Sequence, residues 1–225
     1  MLIADWGLID YKEAETKQLA LFEGKLDAKA NKNSSENYLN LLEHTPVYTL
    51  GKNADEKNIL PIAHTCGASF YHISRGGDVT FHGPGQLVVY PILDLQDFNM
   101  GIRAYVTALE NIGVALCASY GIEAKASEEE GVWVDYGTPK SRKIMAIGIK
   151  VSRYITMHGI AFNVNTDLNY FSFIIPCGLA NKGVTSLQRE LGREIDMSEF
   201  KQRYVKMFTS EFNPELISRT QVVLS

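Results

Sequence analysis

The sequence predicts one mixed α/β domain, because helically spaced apolar residues and short strand-like apolar runs share a chain of domain size. Of its 225 residues, 45% are hydrophobic and 21% charged, enough for one full core or at most two small subdomains. The sequence contains no internal repeat and no low-complexity segment. We therefore expect a single domain over residues 1–225.

Three segments have the composition and spacing of helices. Tyr11–Ala30 is rich in Glu, Lys, Gln, Ala and Leu, with apolar residues along one face. Residues 102–120 carry apolar residues at helical intervals and precede Gly121, and glycine often follows the end of a helix. Residues 196–212 open with Asp196 and Glu199, which suit the first turn of a helix.

Short apolar runs bounded by glycine, proline or polar residues predict the strands. An apolar start at residues 1–6 predicts an edge strand, and further strands are expected at 38–42, 47–50, 70–74, 87–95, 122–126, 131–135, 143–151 and 154–164. Short connections between the last three predict an antiparallel meander. Residues 28–37 and 52–67 are expected to be loops, the second with a helical turn near Lys57.

Charge and hydropathy limit the classes of partner. The net charge of -4 gives no overall positive field, so neither nucleic acid nor an anionic membrane surface is expected as a partner. No stretch approaches the roughly 18 apolar residues of a membrane span, and the N-terminus lacks the pattern of a signal peptide. A cytoplasmic location is expected. Cys66, Cys117 and Cys177 have no CxxC spacing, so neither a disulfide framework nor a zinc site is expected.

The segment RGGDVTFHGPGQ, at residues 75–86, holds more glycine than a simple hairpin requires. It matches neither of the glycine-rich phosphate-binding patterns. It can instead line a ligand tunnel, with polar contacts from Arg75 and His82 and an apolar wall from Val79 and Phe81, or form an irregular surface turn. Taken alone, His82 is expected to order the loop, and the five histidines form no HxH or HxxxH pair that would predict a metal site.

Cys177 lies between Pro176 and Gly178, where the apolar run FSFII meets a polar segment. A thiol at the end of a strand before a glycine is sterically open and can have backbone N–H groups nearby, as a nucleophile with an oxyanion hole requires. The alternative is a packed cysteine, which is the expectation for Cys66 and Cys117.

Lys143 begins the predicted strand KIMAIGIKV and is a candidate base for a thiol. Ile144, Met145 and Ile147 can desolvate its ammonium group and lower its pKa toward the range of a general base. The alternative is a solvated lysine at a strand end.

Several motifs occur together in one order: EHTPVYTLG at residues 43–51, RGGDVTFHGPGQLVVYPILDL at 75–95, GVWV at 131–134, KIMAIGIKVSRYITMHGIAFNVNTDL at 143–168, IIPCGL at 174–179 and GVTSL at 183–187. They closely resemble the lipoyl(octanoyl) transferase family, the octanoyltransferases of lipoate assembly. The resemblance covers most of residues 38–190. It implies a domain like the catalytic domain of biotin and lipoate protein ligases, with mixed, largely antiparallel sheets flanked by helices.

The resemblance also implies a reaction, namely transfer of an octanoyl group from octanoyl-acyl carrier protein to a specific lysine of a lipoyl domain. The acceptors would be subunits of 2-oxoacid dehydrogenase complexes and the glycine cleavage H protein. Cys177 would be the acyl-accepting nucleophile and Lys143 its proton-handling partner, without a cofactor. The acyl site would contain Arg75, Gly76, Gly77, Asp78, Val79, Thr80, Phe81, His82, Ala146, Ile147, Gly148, Gly159, Ile160 and Ala161.

The residue chemistry supports this implied reaction without ATP, because a thioester donor is already activated. We expect oxyanion donors among the N–H groups near Cys177 and in the loop at residues 75–77. Both partner proteins are expected to be acidic, so we also expect a basic docking face, whose members would be Lys140, Arg142, Lys150, Arg153 and Lys182. Charge reversal at Arg142 or Arg153 should then slow transfer from the carrier protein more than from a small thioester.

Two other functions remain open from the sequence. An ATP-dependent lipoate or biotin ligase shares the fold and a lysine like Lys143 but forms an acyl-adenylate and needs no cysteine. A non-catalytic module that binds acyl carrier protein would only pack Cys177. An amidotransferase that moves octanoyl or lipoyl groups between lipoyl domains would use related chemistry with a different donor.

Overall fold

The fold is taken from a computed structural model that describes residues 1–175, 182–212 and 221–223. The helices are α1 (Tyr11–Ala30), α2 (Ile102–Ser119), α3 (Leu187–Leu191) and α4 (Met197–Phe212). The strands are β1 (Leu2–Ile9), β2 (Tyr38–His44), β3 (Val47–Leu50), β4 (Ser69–His72), β5 (Val79–His82), β6 (Gln86–Ile92), β7 (Ala124–Ala126), β8 (Val132–Val134), β9 (Arg142–Ser152), β10 (Ile155–Asn163), β11 (Gly183–Val184) and β12 (Gln221–Val223).

The strands form two sheets. The larger has the order β12-β1-β2-β6-β10-β9-β8-β7, with β11 beside β9, and the smaller has the order β4-β3-β5. In the larger sheet the pairs from β2 to β7 are antiparallel, whereas β1 runs parallel to β2 and β12, and β11 runs parallel to β9. The predicted mixed and largely antiparallel α/β fold is therefore confirmed.

Helices cover both faces of the larger sheet. Leu109 of α2 and Phe200 of α4 belong to the main core on one face. Phe22 of α1 packs on the other face with Ile92 of β6 and Met157 of β10. Successive side chains of a strand point to opposite faces, so one strand such as β6 or β10 supplies both layers.

The three predicted helices and the antiparallel meander β8-β9-β10 are confirmed. Asp10 caps α1 by accepting a hydrogen bond from the Lys12 N–H at 2.8 Å, and Asp196 accepts from the Glu199 N–H at 3.0 Å. The predicted turn near Lys57 is a 3-10 helix, Glu56–Asn58. Each of these features depends on nearby residues, which is why the sequence revealed it.

Three local predictions are wrong. β1 is not an edge strand, because β12 pairs with its outer side. The glycine-rich segment is not all loop, since it contains β5, which pairs with β3. The run before Cys177 is not a strand, because Leu168–Phe173 forms a 3-10 helix capped by Asp167. The side-chain oxygen of Asp167 accepts from the Asn169 N–H at 3.0 Å and favours the turn.

No helix in the described part of the chain is long and apolar enough to cross a membrane. The cytoplasmic location stays a prediction. That residues 1–225 form a single domain also stays a prediction.

Candidate active site

A pocket of about 120 Å³ lies where α1 and the smaller sheet meet one face of the larger sheet. Its volume is several times the roughly 15 Å³ that one water molecule needs, so a ligand of many atoms can enter. The floor is formed by β9 and β10, in which Ala146, Ile147 and Gly148 pair with Ala161, Ile160 and Gly159, respectively. The two motifs assigned to the acyl site from the family resemblance thus lie side by side.

Glycine is required at two positions of this floor. A Cβ atom on Gly148 would lie 2.9 Å from Arg75 Cδ, and one on Gly159 would lie 2.2 Å from the Val89 carbonyl oxygen. Glycine at position 148 provides the space in which Arg75 crosses β9. Glycine at position 159 lets the β10 backbone approach β6 closely.

Arg75 is buried at the side of the pocket, with 8% of its surface exposed. Its Nη2 donates to the carbonyl oxygen and to Oγ1 of Thr49, at 2.8 and 3.0 Å, and its Nη1 donates to the Gly76 carbonyl oxygen at 2.8 Å. A guanidinium stays charged at any physiological pH, so these oxygens hold a fixed positive charge beside the pocket.

The loop that carries Arg75 is tied to β9. The Gly76 N–H donates to the Ile149 carbonyl oxygen at 3.2 Å, and Gly77 has a φ of +84°, where glycine is favoured. The Gly76 N–H is used in this bond, and the expectation of oxyanion donors in residues 75–77 stays a prediction.

Asp78 lines the pocket and also orders its rim. Its carboxylate accepts hydrogen bonds from Asn58 Nδ2 at 2.6 Å and from the Val79 N–H at 2.7 Å. The Asn58 carbonyl oxygen accepts in turn from the Ile175 N–H at 2.8 Å, so Asp78 supports the chain that leads into residue 176.

His82 is buried and hydrogen-bonded on both ring nitrogens. Nδ1 lies 2.7 Å from Gln86 Oε1, and Nε2 lies 3.3 Å from Thr49 Oγ1. Burial lowers the pKa of His82 to about 3, so the ring is neutral near pH 7. The prediction that His82 orders the loop agrees with these contacts.

All but two of the predicted acyl-site residues line the pocket. The exceptions are Gly76 and Phe81. Phe81 lies in the core of the smaller sheet and stacks on Tyr170 with ring centroids 4.3 Å apart. It alternates with Thr80 and His82 along β5, so its side chain points to the other face.

Lys143 lies at the start of β9, five residues before Gly148, and also lines the pocket. Its Nζ is 4.6 Å from the centroid of the Trp133 ring and 3.5 Å from the Glu129 carbonyl oxygen. The predicted desolvating residues Ile144 and Met145 are buried in the main core instead. The aromatic cover over Lys143 comes from β8, which pairs with β9.

Lys182 is a second lysine at this end of the pocket. Its Nζ forms an ion pair with the Glu129 carboxylate and lies 5.3 Å from the Trp133 ring centroid. Lys143 and Lys182 therefore share one aromatic ring, and Glu129 contacts both ammonium groups, one through its carboxylate and one through its carbonyl oxygen.

Cys177 lies outside the described residues, in the segment 176–181. The chain on both sides of that segment is described. Ile175 lines a groove next to the pocket, and Lys182 lines both the groove and the pocket. Val184 of β11 pairs with Lys143 itself. The pairing of Cys177 with Lys143 stays a prediction.

The family model for the lipoyl protein ligase A/B catalytic domain matches residues 17–209. The chain belongs to this family. The match extends at both ends beyond residues 38–190, where the sequence motifs were found.

Relatives within the family support this assignment. The octanoyltransferase of Bacteroides fragilis strain YCH46 is 52% identical over 206 residues, which are 90% of this chain and 93% of the relative. The octanoyltransferase of Flavobacterium johnsoniae is 47% identical over 226 residues, with 96% and 97% of the two chains covered.

Two solved structures share the fold at low identity. A P. falciparum protein, LipL1, in complex with lipoate has a TM-score of 0.73 and 15% identity, with 99% of this chain and 65% of that chain covered. A bipartite lipoate protein ligase from Thermoplasma acidophilum has a TM-score of 0.68 and 14% identity, with 99% and 85% covered. These likenesses support the fold predicted from the family resemblance.

The other cysteines and the possible metal ligands do not form a competing site in the described residues. Cys117 is fully buried, and burial raises the pKa of its thiol to about 12. Cys66 donates through Sγ to the Ala63 carbonyl oxygen at 3.0 Å. Both agree with the packed cysteines that were expected. Residues 1–175 and 182–212 contain no group of His, Cys, Asp or Glu that could hold a metal ion.

The predicted members of the basic docking face differ in how far their charges are paired within the fold. Arg142 is held by Glu190 at 2.6 Å and by Asp135 at 2.5 Å, so its charge is used within the fold. Lys150 follows Lys143 by seven residues on β9, about 23 Å along extended chain. The docking face that would join Lys150 and Arg153 to Lys140 and Lys182 stays a prediction. Lys140 and Lys182 do line the groove beside the pocket.

The sequence reasoning missed the pocket residues Tyr11, Tyr90, Trp133 and His158 and placed Lys182 only on the surface. The one available signal was the motif GVWV, which contains Trp133 and was recognised only as part of the family pattern. Tyr11 lies on the buried face of α1, and helical spacing alone does not reveal that this face ends at a pocket.

Proposed function

We propose that this chain transfers an octanoyl group from octanoyl-acyl carrier protein to a lysine of a lipoyl domain, with Cys177 as the acyl carrier. The observation that carries the proposal is the pocket on β9 and β10, with a buried inner end and with Lys143 at its other end. Two curated octanoyltransferases, 52% and 47% identical over most of the chain, support the octanoyl group as cargo. The activity is therefore acyl transfer in protein lipoylation.

The first half of the reaction exchanges one thioester for another. The Cys177 sulfur attacks the donor carbonyl, an oxyanion forms, and the C–S bond to the donor breaks. Lys143 takes the proton from Cys177 and returns it to the departing donor thiol. The octanoyl group is then held as a thioester on Cys177.

The second half forms a more stable bond. The acceptor lysine amine attacks the Cys177 thioester, an amide bond forms, and the Cys177 sulfur leaves. Lys143 accepts the proton that the attacking amine loses and returns it to the Cys177 sulfur. No adenylate is required, because the donor thioester supplies the activation.

The acceptors proposed are the lipoyl domains of 2-oxoacid dehydrogenase complexes and the glycine cleavage H protein, in the cytoplasm. An amidotransferase would differ in its donor. Offering octanoyl-acyl carrier protein and an octanoylated H protein side by side, each with an unmodified lipoyl domain, distinguishes the two activities. Faster transfer from the octanoylated H protein would contradict this proposal, because the preferred donor would then be that protein and not octanoyl-acyl carrier protein.

The decisive experiment is to incubate the protein with octanoyl-acyl carrier protein, without ATP, and to measure its intact mass and its peptide masses. We expect one octanoyl group on the Cys177 peptide. Cys66→Ser, at a cysteine outside the pocket, should form the same adduct, and Cys177→Ser should form no thioester. An octanoylation activity that depends on ATP and survives in Cys177→Ser would instead indicate a ligase. Absence of any adduct or transfer would indicate a binding module.

A further inference from the structure

The inner end of the pocket, defined by Tyr11, Tyr90 and His158, has an unusual composition for an acyl site. All three side chains line the pocket, with 1%, 4% and 3% of their surface exposed, respectively. The Tyr90 and His158 rings lie edge to face, with centroids 6.3 Å apart. An apolar chain that enters along β9 and β10 therefore meets three polar rings.

Two of these polar groups have unmet hydrogen-bonding capacity. Tyr90 Oη is satisfied by His44 Nε2 at 2.7 Å. Within the described residues, Tyr11 Oη and His158 Nε2 have no hydrogen-bond partner. Buried polar atoms without a partner are rare and costly, and at a cavity they indicate a missing polar ligand or water.

Helix α1 builds this end from two of its residues. Gln18 follows Tyr11 by two turns on the same face, and its Oε1 accepts from the His158 N–H at 3.1 Å. This bond fixes the backbone of His158, which has a φ of +60°. His158 is thereby held with its ring at the pocket by contacts that leave Nε2 available. Its position is built into the fold.

An extended chain of eight carbons fits along the strands between Lys143 and His158. His158 pairs with Ile149, which follows Lys143 by six residues on β9, so the two ends are about 20 Å apart. Seven C–C bonds of about 1.5 Å span about 9 Å in an extended octanoyl chain. A chain activated at Lys143 and laid along β9 therefore extends toward Tyr11 and His158.

We propose that Tyr11 and His158 form a polar distal subsite that limits the length of the acyl chain. Their free atoms bind a water molecule just beyond the eighth carbon, or a hydroxyl group at the end of the chain itself. A longer alkyl chain displaces the water and leaves both polar atoms buried without a partner, which opposes its binding. This inference rests on the proposed acyl-transfer function and adds the group that selects its substrate.

The test compares Tyr11→Phe with wild type and with Tyr204→Phe. Tyr204 is a matched control, because it is 1% exposed and its hydroxyl also lacks a partner in the described residues, but it lies in the main core. For each protein, kcat/KM is measured with octanoyl, decanoyl and 8-hydroxyoctanoyl thioesters of a small thiol. Tyr11→Phe should raise the decanoyl to octanoyl ratio about tenfold and lower the 8-hydroxyoctanoyl to octanoyl ratio by a similar factor. Tyr204→Phe should change neither ratio.

Binding of the free fatty acids, measured by calorimetry, separates this inference from the proposed reaction. We expect wild type to bind octanoate and 8-hydroxyoctanoate, and Tyr11→Phe to prefer decanoate. This result would support the subsite even if the protein did not transfer the acyl group. His158→Asn, which tolerates a positive φ, should shift the ratios in the same direction. Ratios that move equally in Tyr11→Phe and Tyr204→Phe, or wild-type binding that ignores chain length, would overturn the subsite.

Discussion

The two ends of the pocket differ in how deeply their titratable side chains are buried. At the outer end, Lys143 and Lys182 are half-buried lysines that share the Trp133 ring, and Glu129 pairs with Lys182. At the inner end, the side chains of Tyr11 and His158 are buried and neutral, and the fixed charge of Arg75 beside them is held by hydrogen bonds to Thr49 and Gly76. Burial lowers the pKa of His158 to about 3 and raises the pKa of Tyr11.

This difference separates proton transfer from recognition. A group that moves protons needs both of its charge states within reach, and partial exposure beside an opposite charge allows that. A deeply buried group loses its charged form and can act only through shape and hydrogen bonds. We therefore expect chemistry at the outer end and selection of the acyl chain at the inner end.

The largest effect should come from substituting Lys143 at the outer end of the pocket. Lys143→Met should lower the rate of octanoyl transfer by about a thousandfold, because a positioned general base contributes up to that order. The rate is measured as octanoylated lipoyl domain formed per unit time. Lys150→Met is the matched control, since Lys150 is on the same strand but contacts the Phe22 ring at 5.1 Å. Equal rates in the two variants would exclude Lys143 from the chemistry.

A second substitution tests how closely the floor of the pocket is packed. Gly159→Ala should lower the free energy of unfolding by about 3 kcal/mol, because its Cβ would meet the Val89 carbonyl oxygen at 2.2 Å and the backbone cannot easily shift. In Gly148→Ala the new Cβ would meet Arg75 Cδ at 2.9 Å, and because hydrogen bonds hold that guanidinium in place the change should cost about 2 kcal/mol. Gly24→Ala, within α1 and in open space, should stabilise by about 0.5 kcal/mol. Urea denaturation measures all three. The reverse order would contradict this packing.

A third experiment tests whether the buried histidines around the pocket are neutral. Burial lowers the pKa of His44 to about 4 and that of His82 and His158 to about 3, below the ordinary value of 6.5. Between those values the unfolded chain binds more protons, so stability falls as pH drops below about 6.5, by about 1.4 kcal/mol per pH unit for each histidine. His158→Asn should reduce the loss between pH 7.5 and 5.5 in urea denaturation. The same change at exposed His72 should leave the loss as it is in wild type, and a similar effect of both variants would argue against a buried neutral His158.

Local patterns predicted much of the fold but less of the site. The helices and the β8-β9-β10 meander depend on spacing and short connections, so the sequence was sufficient for them. The strand β5 was missed because its partner β3 precedes it by about thirty residues, and the glycines around it suggested only a loop.

The residues missed in the site are those that the fold brings together from distant parts of the chain. Tyr11 and His158 are 147 positions apart in the sequence, and Trp133 reaches Lys143 only because β8 pairs with β9. The ion pair of Arg142 with Glu190 joins residues separated by 48 positions. From side-chain chemistry alone, Arg142 is expected to be a surface cation. The packing reveals that its charge is paired within the fold.

The smallest effect should distinguish the two charges beside Lys143. Removing the Lys182 ammonium in Lys182→Gln leaves the Glu129 carboxylate facing Lys143, which favours the charged lysine. The pH at which transfer reaches half its maximal rate should then rise, by about one unit or less. Glu129→Gln should lower that pH, because both cations remain, and Lys182→Arg should restore the wild-type profile. A purely structural role for this pair predicts lower rates with an unchanged pH profile, so opposite shifts from its two members require that their charges act on the outer end.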